Sequence, residues 1–482
     1  MDFRTCSKNH PLGNPAQRKY HVDVNHLIES LRNQLPADVL LTGAEVGDRH
    51  ASDWSGSHSR LPEVLFRPET TAQVSRILKQ CNDARQPLVL QGGLTGLSGG
   101  ATPGRGEWAL SLDRMTGIVE LDVDALTVTV RAGTPLQTIQ QAAAEQDLML
   151  PLDLGARGSC QIGGNVATNA GGNQVIQYGM ARNLVLGLEA VLADGTVIPA
   201  HNKLLKNNAG YDLKHLFIGS EGTLGVITEV VLRLYPRTRT RQSALCGLSS
   251  YDHVVRLLNR MRTVLPSVSA FEVMWRSYYG YCTETVDAAR DPFDKTHPFY
   301  VLLESDGRDP GRDADRFQQA LFDEMEAGLI ADCVVAQSHK EREGFWEIRD
   351  GIGEILSRFR HTANFDIGIP IGDTGRFVEQ MEARLKERQP DIPPLVFGHL
   401  GDGNLHVVAD SGTPERQADI EDTVYGLVRE YRACITAEHG VGKHKKPWLD
   451  CSRSAEELAL MKMLKRSMDP NGILNPGRIF DL

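Results

Sequence analysis

Two histidines, His399 and His406, flank the glycine-rich stretch "GHLGDGNLH" at residues 398–406. Helical spacing would let them share a face, but the glycines and the Asp-Gly step between them oppose a helix. Apolar "PLVF" precedes the stretch and "LHVV" follows it. The pattern predicts strand, tight turn, strand, with Asp402-Gly403 as a two-residue hairpin turn. In that register His399 faces His406, with Cβ atoms roughly 5 Å apart and two imidazoles able to share a metal ion. The alternative is a surface hairpin with two incidental histidines. Further along, Glu438 and His439 close a predicted strand, "ACITAEHG", just before Gly440. Two histidines and a carboxylate make a ligand set for a divalent metal that leaves positions open for substrate. A third histidine beside that carboxylate can serve as a base, the alternative being a solvated strand end.

These residues need a scaffold, and its first part is legible around residues 60–100. Thr70 followed by Gln73 resembles a capping box, and Val74, Ile77, Leu78 and Cys81 then repeat at helical spacing. "PLVL" reads as a buried strand and runs into a loop with Gly92, Gly93, Gly96, Gly99 and Gly100. Such a loop lets several backbone N–H groups converge on a phosphate. It lacks both GxGxxG and the Lys-Ser/Thr of a triphosphate loop, and turn chemistry is the alternative. Glycine-rich stretches return at 151–172, "PLDLGARGSCQIGGNVATNAGG", and at 216–236, "LFIGSEGTLGVITEVVLRLYP", amid strand-like runs such as "LTVTVRAG" and "LEAVLADGTVI". Residues 1–236 therefore read as a mixed α+β unit whose loops wrap an extended, pyrophosphate-containing cofactor. A boundary is expected near 236–245, followed by longer helical segments. One of these, "TPERQADIEDTVYGLVREY", has Ile420, Val424, Leu427, Val428 and Tyr431 on its inner face.

Composition narrows the function. The 482 residues are 41% hydrophobic and 24% charged, enough for two or three domains, and the net charge of −10 gives no footprint for nucleic acid or an anionic membrane. The eight cysteines fall singly, without a CxxC pair, which suggests reduced thiols in a cytoplasm-like compartment. No apolar run reaches the roughly 20 residues of a membrane helix, although peripheral membrane association or an organelle matrix stays open. The first 20 residues are mildly basic and read as an extension or part of a targeting peptide.

The ordered stretches "QGGLTGLSGG", "PLDLGARGSCQIGGNVATNAGG", "NNAGYDLKHLFIGSEGTLGVIT", "GHLGDGNLH", "AEHGVGKHK" and "NPGRIF" resemble the FAD-dependent D-2-hydroxyacid dehydrogenases of the vanillyl-alcohol-oxidase-type flavoprotein fold. The resemblance implies an α+β chain: a two-part FAD-binding domain, a ferredoxin-like cap and a small C-terminal helical segment. Residues 1–55 would be an N-terminal extension and the start of the FAD domain, 56–238 the FAD domain, 239–440 the cap with substrate and metal, and 441–482 a segment returning to the FAD domain. FAD would contact Gly92, Gly93, Leu94, Thr95, Gly96, Leu97 and Ser98 of the first loop. From the second it would meet Pro151, Asp153, Gly155, Ser159, Ile162, Gly163 and Asn165, with Gly222, Ile227 and Asn475 beyond. Leu94 stands where tethered members place a histidine, which implies non-covalent FAD. His399, His406 and Glu438 would bind a divalent metal such as Zn2+, with Mn2+ or Fe2+ accepted by the same set. His439 would take the hydroxyl proton of a D-2-hydroxyacid of the D-2-hydroxyglutarate or D-lactate class while its C2 hydrogen leaves as hydride to flavin N5. Arg349 matches the arginine that clamps the substrate carboxylate.

Around the substrate the family pattern breaks. A threonine, a lysine and an asparagine used by members acting on 2-hydroxyglutarate are replaced here by Gly353, Asn364 and Val408. Either Arg358, Arg360 or His361 compensates, or the substrate, which Asn364 would contact, carries one carboxylate. Electrons would leave to a separate electron-transfer flavoprotein or a quinone, and a homodimer is possible. Two further readings are a flavin oxidase of the same fold acting on another alcohol or sugar, and an electron-relay flavoprotein subunit without catalysis of its own.

Overall fold

The computed structural model describes residues 24–56, 59–265, 267–359 and 361–482. The expectations for residues 1–20 and for Arg360 lie outside them. Strands β1 (Leu40–Thr42), β2 (Val64–Phe66), β3 (Leu88–Gln91) and β4 (Trp108–Ser111) form a sheet in the order β1-β2-β4-β3, with β2, β4 and β3 parallel. Against it packs the helix Thr71–Ala84, which buries Val74, Ile77, Leu78 and Cys81 as its periodicity requires. The hydroxyl of Thr70 accepts from Gln73 N–H, but the Gln73 side chain takes the N–H of Glu69 instead of completing the box. A second, antiparallel sheet contains β5 (Ile118–Asp122), β6 (Thr127–Arg131), β8 (Val185–Val191), β9 (Val197–Ala200) and β10 (Val226–Arg233), in the order β5-β6-β10-β8-β9. Between them β7 (Leu148–Met149) pairs with β11 (Tyr235–Pro236). The two sheets share one apolar core.

The third sheet is antiparallel and seven-stranded: β12 (Thr240–Leu248), β13 (Val268–Trp275), β14 (Phe299–Gly307), β15 (Asp332–Val335), β16 (Thr362–Gly368), β17 (Leu395–His399) and β18 (Asn404–Asp410). Its order is β15-β12-β14-β13-β17-β18-β16. The first four strands, with helices Tyr251–Val264 and Pro310–Glu326 as crossovers, make the βαββαβ unit of a ferredoxin-like fold. The last three, with helices Thr374–Arg388 and Pro414–Glu430, extend the same sheet. One face carries a large core that includes Phe365, Val407 and Val424; the other packs Phe397 and Val408 against Tyr278, Phe345 and Ile348. Helix Pro414–Glu430 buries Ile420, Val424, Leu427 and Val428 as expected, and Tyr431 follows it, half-buried.

The C-terminal residues return to the first sheet. Leu474 bridges Leu88, and the Asn475 side chain accepts from Leu90 N–H (2.8 Å) and donates to the Glu221 carbonyl (2.6 Å). Among the described residues no helix is long and apolar enough to cross a membrane.

Candidate active site

The histidine hairpin forms, but not in the expected register. Phe397, not His399, stands opposite His406, and a four-residue connection, 400–403, replaces the two-residue turn. Leu400 is buried in the sheet's core, and Asp402 folds back to accept from Asn404 N–H (3.1 Å). Burial of Leu400 and this local turn outweigh the Asp-Gly hairpin preference, while Gly403 supplies the positive φ of 81° that the longer turn needs. A slip of two residues keeps every side chain on its original face. His399 and His406 are therefore diagonal neighbours, with ring centroids 5.3 Å apart and planes 81° apart.

The second correction concerns "ACITAEHG", which is not a strand and makes only isolated bridges, Thr436 to Asp366 and Cys434 to Gly368. The Asp366 side chain captures this segment instead. Its Oδ2 accepts from the N–H groups of Glu438 (3.0 Å) and His439 (2.9 Å) and from the Thr436 hydroxyl (3.0 Å), with Lys445 Nζ at 3.4 Å. Backbone donors committed to a carboxylate cannot continue a ladder. Burial works against the charge of Asp366, but His439 and Lys445 outweigh it and hold its carboxyl well below the usual carboxylate range. The result is a loop that presents Glu438 and His439 side by side.

These elements converge. One ligand atom each from His399, His406 and Glu438 lie within 4.8 Å of one another, the first two residues buried and the third half-buried. A divalent metal fits this donor set: two imidazole nitrogens and a carboxylate oxygen, with room left for other ligands. Glu438 Oε1 also accepts from Gly172 N–H (3.3 Å), so the second glycine stretch steadies it. His439 stacks 6.1 Å from His406, and its Nδ1 is 3.6 Å from Asp366 Oδ2.

Arg349 sits behind His399, on the helix His339–Asp350. It is 5% exposed, its Nε donates to Glu272 Oε2 (2.7 Å), and its guanidinium lies 4.9 Å over the Phe397 ring with Nη2 3.2 Å from His399 Nε2. His399 Nδ1 donates to the other Glu272 oxygen (2.8 Å). Burial would keep His399 neutral, but Glu272 overrides this and pushes its pKa up to about 9. At His406 the balance reverses: burial and the neighbouring His399 charge outweigh the pull of Asp366 and hold it well below the usual histidine value.

A long cleft opens beside this cluster, between the glycine loops and the returning C-terminus, with about 1640 Å³ of space counting its mouth. Of the expected cofactor contacts all line it except Pro151, Asp153, Ser159 and Ile162. Ile162 is core, and Asp153 faces a separate polar cleft. Two buried carbonyl oxygens on the cleft wall, Gln161 Oε1 and Asn165 Oδ1, have no protein partner, as suits a polar ligand such as FAD. Glu438 and His439 line the same cleft, so one member of the three-residue cluster borders it directly. Glu221 locks the arrangement by accepting from Val441 N–H (2.7 Å) and Gly442 N–H (2.8 Å).

Away from this cluster, Asn364 is exposed and pairs across the sheet with buried Val408. Arg358 is tied to Glu354, while Gly353 and His361 are exposed. Three residues that organise the site escaped the sequence reading: Glu272, Asp366 and Glu221. The first had a usable signal, a lone charge inside the apolar run "VSAFEVMW", every residue of which is buried.

Comparison with known proteins gives the family and the fold. The FAD-linked oxidase C-terminal domain matches residues 237–479 and the FAD-binding domain residues 62–200. The chain is 38% identical to D-2-hydroxyglutarate dehydrogenase of Xanthomonas citri pv. viticola, covering 94% of this chain and 97% of the relative. It is 39% identical to a probable mitochondrial D-2-hydroxyglutarate dehydrogenase of Oryza sativa subsp. indica, over 89% and 77% of the two chains. The crystal structure of p-cresol methylhydroxylase with substrate bound superposes with a TM-score of 0.74 at 16% identity, covering 95% of this chain and 97% of that one, which shows the shared vanillyl-alcohol-oxidase-type fold. This chain belongs to the family of FAD-linked oxidases that includes the FAD-dependent D-2-hydroxyacid dehydrogenases.

Proposed function

We propose that this protein is an FAD- and divalent-metal-dependent dehydrogenase that oxidises a D-2-hydroxyacid, of the 2-hydroxyglutarate or lactate class, to the 2-oxoacid. The observation that carries the reading is the cluster of His399, His406 and Glu438 at the edge of the cleft that Glu438 and His439 also line. Bound there, FAD supplies a hydride acceptor at N5 and a divalent cation, Zn2+ or equally Mn2+ or Fe2+, lowers the pKa of the C2 hydroxyl. His439 removes the hydroxyl proton, held in place by Asp366 through its backbone N–H. Arg349 presents its Nη edge to the substrate carboxylate. Asn364, exposed on the sheet face that also carries His406, is the polar group nearest the substrate's far end in this reading.

In this reading residues 56–238 hold FAD non-covalently, 239–440 hold substrate and metal, and 441–482 close the cleft. Electrons pass on to a separate acceptor, an electron-transfer flavoprotein or a quinone. The seven described cysteines are all free thiols, which suits the cytoplasm or an organelle matrix. A flavin oxidase of another alcohol, or an electron-relay subunit, leaves the His399, His406 and Glu438 cluster without a role. Chelation tests the proposal: turnover of a D-2-hydroxyacid should disappear while FAD stays bound and return when metal is added back. Undiminished turnover in fully chelated, metal-free enzyme would remove the metal from it.

A further inference from the structure

We infer that Glu272 is a positioning residue that sets the metal ligand His399 and the substrate clamp Arg349 in one fixed arrangement, an inference that rests on the roles given to those two residues above. Glu272 is the lone charge in β13, a strand buried at all eight positions, and is itself 1% exposed. Burying a carboxylate this completely is costly unless its lone pairs are answered. Here both oxygens are used, and by different residues: Oε1 takes the proton of His399 Nδ1 at 2.8 Å and Oε2 takes that of Arg349 Nε at 2.7 Å.

The backbone makes this pairing obligatory. Glu272 and His399 are directly opposed across β13 and β17, which puts both side chains on one face of the sheet. Helix His339–Asp350 brings Arg349 to the same spot.

Two consequences follow from one carboxylate. With its proton fixed at Nδ1, His399 turns Nε2 to the cluster, where Arg349 Nη2 lies 3.2 Å and Glu438 Oε1 3.8 Å away. With its Nε held, Arg349 cannot rotate its Nη edge away from the cluster, and Phe397 beneath it fixes the plane. Any displacement of Glu272 therefore moves ligand and clamp together.

The test uses the FAD-loaded full-length protein. The dissociation constant for Zn2+ is measured by competition with a chromophoric chelator, and kcat and KM for D-2-hydroxyglutarate at saturating Zn2+. Glu272→Gln should weaken Zn2+ by about 10- to 100-fold, the effect typical of losing such an outer hydrogen bond. It should also raise KM more than it lowers kcat, with FAD content unchanged. His399→Ala serves as the reference. If it loses Zn2+ while Glu272→Gln binds within twofold of the parent, the role of Glu272 is refuted. If His399→Ala binds Zn2+ like the parent, the ligand assignment itself is wrong. Should Glu272→Gln not hold FAD, the double variant Glu272→Gln/Arg349→Met removes the unpaired cation as well. The same zinc titration then applies: a tenfold loss or more is expected, and parent-like affinity overturns the inference.

Discussion

Replacing Gly93 with alanine would strike the cofactor cleft where it has least room. A Cβ at this position would lie 2.8 Å from Cys160 Cα and closer still to the Ser159 carbonyl oxygen. Ordinary carbon contacts are about 3.5–4.0 Å, so the two loops must part by roughly 1 Å. Both neighbours are backbone, and neither can swing aside as a side chain would. Overpacking of this kind costs about 1–3 kcal/mol. The displaced loops carry the cleft wall, so this cost should appear mainly in FAD binding, as a dissociation constant raised about 5- to 150-fold. Titration of the apoprotein with FAD, followed by quenching of flavin fluorescence, measures it. Gly344→Ala is the control: it lies in the helix His339–Asp350, away from the cleft, and its Cβ would meet nothing within 4 Å. A Gly93→Ala protein that melts like the parent and binds FAD as tightly would refute the assignment of these loops to the cofactor.

Other outcomes follow from the same geometry. His439→Ala should keep FAD but slow its reduction by substrate at least about 100-fold in stopped-flow absorbance, the usual contribution of a general base; near-parent reduction would end its role as base. Zinc affinity should climb with pH between 6.5 and 8.5, approaching tenfold per unit, because His399 without metal holds a proton up to about pH 9 and must release it to bind. His406, already neutral in that range, adds no slope. A flat profile in chelator competition would show that His399 has no proton to release when zinc binds. Asn364→Lys should lower KM for D-2-hydroxyglutarate relative to D-lactate, since it sets a cation near the substrate's far end; unchanged relative KM values would take Asn364 out of specificity.

The periodic elements were legible in the sequence because they are local. The apolar spacing from Val74 to Cys81 and from Ile420 to Val428 matches the buried helix faces. The glycine loops that line the cleft and the convergence of His399, His406, Glu438 and His439 were also legible, because residue type and motif order survive any local error in backbone. Register was not. The hairpin slipped by two residues because Leu400 anchors in a core assembled from distant strands, which turn propensity does not report. The strand expected at 433–440 gave way to a loop because Asp366, some seventy residues earlier, takes its N–H groups. Glu272 and Asp366 went unnoticed because a buried carboxylate reveals its purpose only through partners brought by other elements.

The most direct measurement mixes the purified, anaerobic protein with the D- and L-forms of 2-hydroxyglutarate and lactate and follows the flavin absorbance, with metal content determined on the same sample. Rapid bleaching by a D-hydroxyacid and not by its L-form, with about one divalent metal per chain, is the expected result. A metal-loaded flavoprotein that none of these D-hydroxyacids bleaches, or that both forms reduce equally well, would contradict it.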